Sequence, residues 1–290
     1  MKTALVFGGT RFFGRNLVEA LLSKGVEVTV ATRQSSPDPF GDRVKRIKVD
    51  RFDGEALKEA LAGKSWDIAF DQLCYTSIDA EIMSQALEGK IKRYVFTSSG
   101  AVYDRGPDLN ETAFDPYTYA LKMVKADEVS YGEGKRQAEA YYFQKGVFPV
   151  VALRIPIVLG MDDYTERLLH YIKAIHHGES VYFVDPSVEM RFIHQKEAGD
   201  FLAWIGDSDY EGPINACATG VISMETLMHQ IGDLLNKEVI ITTEEEKESP
   251  YGVYMTRYLN TDKAAGMGFS FTALQDWLPQ LIRDVHETIK

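Results

Sequence analysis

The chain begins Met1-Lys2-Thr3-Ala4-Leu5-Val6-Phe7-Gly8-Gly9-Thr10-Arg11-Phe12-Phe13-Gly14, and this stretch decides the fold. Thr3 to Phe7 is a short apolar run that reads as a buried strand. From Phe12 to Lys24 apolar residues recur at helical spacing (Phe13, Leu17, Leu21) until Gly25 closes the run. Val26 to Ala31 is a second β-rich run. Strand, glycine turn, helix and strand make one βαβ unit, and in a doubly wound sheet that turn lies at the carboxyl ends of the strands. Backbone N–H groups and the helix dipole favour a pyrophosphate there, and glycine is needed because a Cβ would block close approach. Gly8, Thr10, Arg11, Phe12, Phe13 and Gly14 are therefore candidates for holding a dinucleotide.

The same alternation continues outward. Strands are predicted at Val44 to Val49, Trp66 to Phe70 and Arg93 to Ser98, with helices at Gly54 to Ala62 and Ile78 to Leu87 between them. Then come a polar stretch rich in Tyr and Asp, a long helix from Leu121 to Lys145 and a strand from Val147 to Leu153. Beyond that the regularity loosens, with helices near Glu166 to His176, Lys196 to Gly206, Ser223 to Asn236 and Thr272 to His286. Alternation of this kind means an α/β fold: a doubly wound parallel (Rossmann) sheet with a smaller C-terminal α/β substrate lobe. Residues 1–155 and about 191–220 are expected to form the dinucleotide-binding core, and about 156–190 and 221–290 the lobe.

The totals narrow the function classes. A net charge of −11 argues against nucleic acid wrapped non-specifically on the surface, because phosphate contacts need clustered Lys and Arg. Two cysteines, Cys74 and Cys217, cannot make a disulfide framework and read as core thiols in a reducing compartment. The first apolar stretch is too short for a signal segment, and no run has the length of a membrane span, so a cytoplasmic protein is expected. No metal is called for: His176 and His177 are adjacent on a helix, point apart and precede Gly178, which suits a helix end. His194 follows an apolar run and reads as core, and the acidic run Glu244 to Glu248 reads as a solvated loop.

Two groups of residues carry the chemistry. The second strand ends Ala31-Thr32-Arg33, with no carboxylate to hold the ribose 2′-hydroxyl of NAD. Arg33, helped by Arg11, suits a 2′-phosphate, so NADP(H) is favoured and NAD(H) stays open. Asp50 and Arg51, after the third strand, are placed to close over adenine, and Leu73, past the fourth strand, joins the cofactor-binding candidates. At the other end, Tyr131-Gly132-Glu133-Gly134-Lys135 puts a phenol and an amine on one helix face. An ammonium beside a phenol favours the phenolate, a workable base for a hydroxyl proton. Each of the two glycines costs about 1 kcal/mol against alanine in a helix, so something must approach that helix closely. Ser99, exposed at the end of the fifth strand, can donate a hydrogen bond to the reacting oxygen.

These segments together resemble the extended short-chain dehydrogenases, the NAD-dependent epimerase/dehydratase family. The likeness rests on GGTRFFG, VDRFD, YVFTSSGAVY, SYGEGKRQAEAYYF, LRIPIVLG, RFIHQKEAGDFL and YLNTDKAAGMGF, in that order. It implies that Tyr131 is the acid/base, that Lys135 binds the nicotinamide ribose and lowers the tyrosine pKa, and that Ser99 is the third catalytic group. It also offers Arg191 for a substrate phosphate. Arg11 stands where the fingerprint has its middle glycine, as in the atypical subgroup that includes chloroplast stem-loop-binding proteins. The family's dehydratases carry an acidic pair directly after the serine position; Gly100 and Ala101 stand there instead. The resemblance thus implies an NAD(P)-dependent epimerase or reductase acting on a nucleotide-sugar or a related small molecule. A regulatory or RNA-associated protein of the same fold is the alternative. Relatives pair through the helices here predicted at 78–87 and 121–145, which implies a homodimer.

Overall fold

The computed structural model describes residues 1–34, 38–244, 249–251 and 255–289, so Glu245 to Glu248 of the acidic run lie outside the described residues. Strand β1 (Thr3–Phe7) is buried from Ala4 onward and has a neighbour on each side: β2 (Glu27–Thr32) and β4 (Trp66–Asp71). Beyond β2 lies β3 (Lys45–Lys48); beyond β4 lie β5 (Ile91–Thr97), then Val150–Arg154 and Gly212–Asn215. Every pairing in this seven-stranded sheet is parallel. The chain builds outward from β1 in one direction and then returns to build in the other, so the order reverses between β1 and β4. In an open α/β sheet the ligand crevice lies outside the carboxyl ends at such a reversal.

Among the described residues, four α-helices precede Val150: α1 (Phe12–Ser23), α2 (Gly54–Ala60), α3 (Ser77–Leu87) and α4 (Tyr131–Lys145). Three of them start on a side-chain cap that satisfies one of the first backbone N–H groups. Asp53 accepts from Ala56 N at α2, Thr76 and Asp79 form a reciprocal capping box at α3, and Ser130 accepts from Glu133 N at α4. The last of these corrects the expected helix 121–145. Residues 121–130 are not helical, because their backbone groups are claimed by distant side chains. Ser77 Oγ donates to Lys122 O and accepts from Val124 N, while Gln137 Oε1 accepts from Lys122 N.

The chain divides into two compact units. The first comprises Met1–Asp104, Glu111–Ile155 and Lys196–Ala216, and holds the seven-stranded sheet. The second comprises Arg105–Asn110, Pro156–Gln195 and Cys217–Lys290. Residues 191–195 thus fall in the second unit rather than in the expected core, and 105–110 cross over to it as a strand. That strand, Gly106–Leu109, pairs with Arg257–Leu259 at the edge of a four-stranded sheet completed by Glu189–Met190 and Ile222–Ser223. Helices Arg167–His177, Met224–Leu235 and Leu274–Glu287 bury Leu168, Ile172, Leu227, Ile231, Leu278 and Ile282 in the second unit's core. No helix among the described residues is long and apolar enough to cross a membrane.

Candidate active site

The glycine turn follows β1 directly, at the reversal point. Gly8 takes φ +76°, in the left-handed region that favours glycine, and a Cβ at Gly14 would fall onto the Gly8 carbonyl. Arg11, in the place of the fingerprint's middle glycine, sits in extended backbone (φ −134°) as the N-cap of α1, so a side chain there strains nothing. The left-handed residue other than glycine in this turn is Phe12 (φ +49°), which is buried. Unlike α2, α3 and α4, α1 has no side-chain cap and no acidic residue in its first turn. A helix head without a side-chain cap or an acidic residue fits a pyrophosphate.

The residues beside that turn fit the rest of a dinucleotide. Leu73, half-buried past the end of β4, stands so close to Gly8 that a Cβ there would lie 3.1 Å from its Cγ. At the carboxyl ends of β4 and β5, the side-chain amide of Gln72 and the hydroxyl of Thr97 are buried without a hydrogen-bonding partner. Arg33 is exposed just beyond β2, and Arg11 is exposed at the head of α1. Thr10 and Phe13 are half-buried. Asp50 accepts from Phe52 N in a local turn.

Arg51 is not where the sequence placed it. Its guanidinium turns into the core, where Nη2 meets Asp71 Oδ2 at 2.7 Å and Nη1 donates to Asp79 O. Asp71 also accepts from Tyr94 OH and from Leu73 N, so the inward arginine braces the backbone that lines the glycine turn. Removing this buried cation from its carboxylate would leave an uncompensated charge, which is why it cannot swing out to an adenine. Cys74, next to this network, is inert as a nucleophile: burial pushes its thiol up to about 12.

The chemical end is built by α4. A Cβ at Gly132 would lie 2.6 Å from Ala101 O, and one at Gly134 would lie 2.7 Å from Tyr75 O. The two helix glycines therefore let α4 settle against the Ser99 turn on one side and the loop after β4 on the other. Ser99 caps the short turn Gly100–Val102, its Oγ accepting from Ala101 N at 3.1 Å, which leaves its O–H to donate. Tyr131, the first residue of α4, is 56% exposed, so its phenol is reachable by a substrate. Lys135, one helical turn on, is buried, and its Nζ donates to Cys74 O (2.6 Å) and Thr97 O (2.8 Å). The structure thus brings Tyr131, Lys135 and the Ser99 turn together in the first unit.

Arg191 lies in the second unit, its Nη1 donating to Leu259 O at 3.0 Å, its guanidinium 4.9 Å from the Tyr258 ring centroid and its Nε buried without a partner. In the same unit Gly178 (φ +74°) ends the helix that carries His176 and His177, and His176 Nδ1 lies 2.9 Å from His286 Nε2.

One buried group escaped the sequence reading. Arg154 is fully buried, paired with Glu139 at 2.6 Å, and donates to Tyr103 OH and to the carbonyls of Glu111 and Phe114. Glu139 also accepts from Ser98 Oγ. Burial pushes the Tyr103 hydroxyl up to about 12, and that hydroxyl donates to Asn215. The network ties α4 to the end of β5, directly behind Ser99. Its only sequence signal was a cation inside the apolar run Val150 to Ile155, which demands a partner without naming one.

With this geometry established, the comparisons with known proteins become specific. The sequence pattern of the NAD dependent epimerase/dehydratase family matches residues 4–72 and 74–216, and the chain belongs to that family. The curated chloroplast stem-loop binding protein of 41 kDa b from Arabidopsis thaliana is 30% identical over 192 residues, 60% of this chain and 47% of that protein. A 4-hydroxy-2-methyl-3-oxo-4-farnesyl-3,4-dihydroquinoline-1-oxide ketoreductase from Stigmatella aurantiaca is 28% identical over 191 residues, 59% of this chain and 54% of the relative. The chain thus spans about half the length of these two curated relatives. Among solved structures, the UDP-N-acetylglucosamine 4-epimerase of Methanobrevibacter ruminantium, in complex with UDP-N-acetylmuramic acid, aligns with a TM-score of 0.75 at 22% identity, covering 99% of this chain and 98% of that one. The UDP-glucose 4-epimerase of Thermus thermophilus, in complex with NAD, aligns with a TM-score of 0.76 at 19% identity, covering 98% and 99%. At these identities the structural likeness establishes the fold.

Proposed function

We propose that the chain is a nicotinamide-dinucleotide-dependent epimerase or reductase that moves hydride at a hydroxyl or carbonyl carbon of a nucleotide-sugar or related small molecule. The observation that carries this reading is α4, whose two glycines seat the accessible Tyr131 phenol and the buried Lys135 amine against the Ser99 turn and the loop after β4. In the oxidative direction the Tyr131 oxygen takes the substrate hydroxyl proton, and in the reductive direction it returns one to the carbonyl oxygen. Ser99 donates a hydrogen bond to that same oxygen. Lys135, fixed by two carbonyls with its Nζ 5.7 Å from the Tyr131 ring centroid, would offer its remaining N–H to the nicotinamide ribose. The bound dinucleotide supplies hydride transfer, held by the Gly8–Gly14 turn, Leu73 and Asp50. Gly100 and Ala101 offer no acid or base beyond Ser99, which removes dehydration from the reactions this site supports.

Arg33 and Arg11, both exposed at the nucleotide end, favour NADP(H) over NAD(H), because guanidinium forks match a 2′-phosphate. The two buried free thiols support a reducing, cytoplasmic compartment. Titration of the purified chain with NAD, NADH, NADP and NADPH tests the reading. Tighter binding of the phosphorylated pair sustains it, preference for NAD(H) favours an epimerase that recycles its nicotinamide, and binding of none of the four overturns it. The likeness to a stem-loop binding protein favours a second reading, an RNA-associated protein of this fold. That reading is abandoned if a stem-loop RNA shows no salt-sensitive affinity at low ionic strength.

A further inference from the structure

Lys135 is a buried amine without a counterion. Both of its hydrogen-bonding partners are neutral carbonyls, and among the described residues no carboxylate reaches it. Desolvating an ammonium is costly unless something replaces water around the charge. What stands there is aromatic. The Nζ lies 4.8 Å from the centroid of the Tyr75 ring and 5.7 Å from that of Tyr131, and the two rings are 6.5 Å apart at 54°. The nearer face belongs to Tyr75, a residue the reading of Tyr131, Lys135 and Ser99 does not use.

The Tyr75 ring is held by its own backbone. Its N–H donates to Asp79 Oδ2 at 3.0 Å, inside the capping box of α3, and its carbonyl lies where a Cβ at Gly134 would be met at 2.7 Å. The ring therefore enters the site from a loop braced at both ends, half-buried beside the exposed Tyr131. A ring face attracts a cation through its quadrupole and carries no net charge. A carboxylate in the same place would cancel the ammonium's field at the phenol and at the ribose. An aromatic face offsets part of the desolvation and leaves that field in place.

We propose that Tyr75 is a positioning residue of this site: its ring is the neutral counter-face against which the Lys135 ammonium rests, beside Tyr131. The proposal rests on the hydride-transfer reading, through the contact of Lys135 with the nicotinamide ribose. It assigns the work to the ring face and none to the Tyr75 hydroxyl.

The test is a double-mutant cycle on the full chain, read as the affinity for NADH and NADPH from nicotinamide fluorescence at fixed salt, with thermal melts to confirm folding. Tyr75→Leu, which removes the face, is expected to weaken binding about five- to tenfold. Tyr75→Phe keeps the face and returns affinity to within about twofold of the unaltered chain. In a Lys135→Met background, which has no ammonium, Tyr75→Leu is expected to add less than about a twofold loss. Unchanged binding in Tyr75→Leu, equal losses in the Phe and Leu variants, or a full additional loss in the Lys135→Met background overturns the proposal. Should Tyr75→Leu melt below the assay temperature, Tyr75→Met, also without a ring, is read by the same criteria. An unaltered chain that binds neither dinucleotide overturns the hydride-transfer reading and this proposal with it; normal binding that ignores Tyr75 overturns this proposal alone.

Discussion

The two helices that serve the site, α1 and α4, both start among glycines, and they use them in opposite ways. At α1 the glycines fold a turn back on itself, Gly14 against the Gly8 carbonyl, and the helix is left without a side-chain cap. At α4 the cap is present, in Ser130, and the glycines are filled from outside by the backbone of Ala101 and Tyr75. The first arrangement leaves a helix head without a side-chain cap; the second closes two loops onto a helix. A glycine in a sequence says only that something comes near. The state of the helix cap shows whether the vacancy is offered to an anion or already taken by the chain.

If α1 holds the nucleotide and α4 performs the proton transfer, changes at each end must separate binding from turnover. Tyr131→Phe removes the acid/base group and should lower turnover about a hundred- to ten-thousandfold while dinucleotide binding stays intact. Steady-state kinetics beside a fluorescence titration checks it, and full turnover in this variant breaks the comparison outright. Gly132→Ala asks whether α4 is filled as described. Alanine in a free helix interior would gain about 1 kcal/mol, yet a Cβ 2.6 Å from Ala101 O must displace backbone. A net loss of about 1–3 kcal/mol is expected, read as a lowered Tm, at about 2–4 °C per kcal/mol for a large domain. A raised Tm would mean that the close approach is not there.

Much of the first unit was legible because its strands and helices repeat at short range. Thr3 to Phe7 agrees with its expected bounds, and α1 and α3 agree within a residue at each end. The exception is instructive. Leu121, Met123 and Val124 continue an apolar pattern ahead of α4, but their segment's backbone answers to Ser77 and Gln137, and no local rule foresees a partner 45 residues away. The true start carried its own signal in Ser130, a good N-cap. The site was legible to the extent that glycine spacing is: Tyr131, Gly132, Gly134 and Lys135 announce a helix that something must touch. Tyr75 and the inward turn of Arg51 were not, because a charge or a ring has no sequence periodicity that reveals its partner. Arg154 and Glu139, 15 residues apart, form a fully buried pair for which the apolar run around Arg154 hints only at a need.

Arg33→Ala probes the nucleotide end by itself. Loss of a guanidinium on a 2′-phosphate should weaken NADPH about tenfold, a charge-assisted contact's worth, and leave NADH nearly unchanged. Equal losses for both cofactors would mean that Arg33 meets a group they share, and the α1 end would then need a different account.

The smallest effect is expected far from the heads of both helices, at the amino ends of the strands. Asp67 is the second residue of β4, where the Lys92 ammonium and the backbone N–H groups of Lys2 and Thr3 hold its carboxyl well below the usual carboxylate range. A depressed folded-state pKa contributes stability that is present above the unfolded value, about 4, and is lost as pH falls through the folded one. The site is partly solvated, so screening keeps the contribution to about 1 kcal/mol or less. Asp67→Asn should therefore lower Tm slightly at pH 7, and the gap to the unaltered chain should narrow by pH 3, because both chains then carry a neutral or nearly neutral group there in the unfolded state. Since Gly8–Gly14 and Tyr131 lie at the heads of α1 and α4, and Asp67 is held instead by Lys92, Lys2 and Thr3, dinucleotide affinity and turnover at pH 7 should stay unchanged in the variant. A loss of either without a loss of folding would mean that the carboxyl-end site is coupled to the strand starts through β1 and β4, and that the separation drawn between the two helices is incomplete.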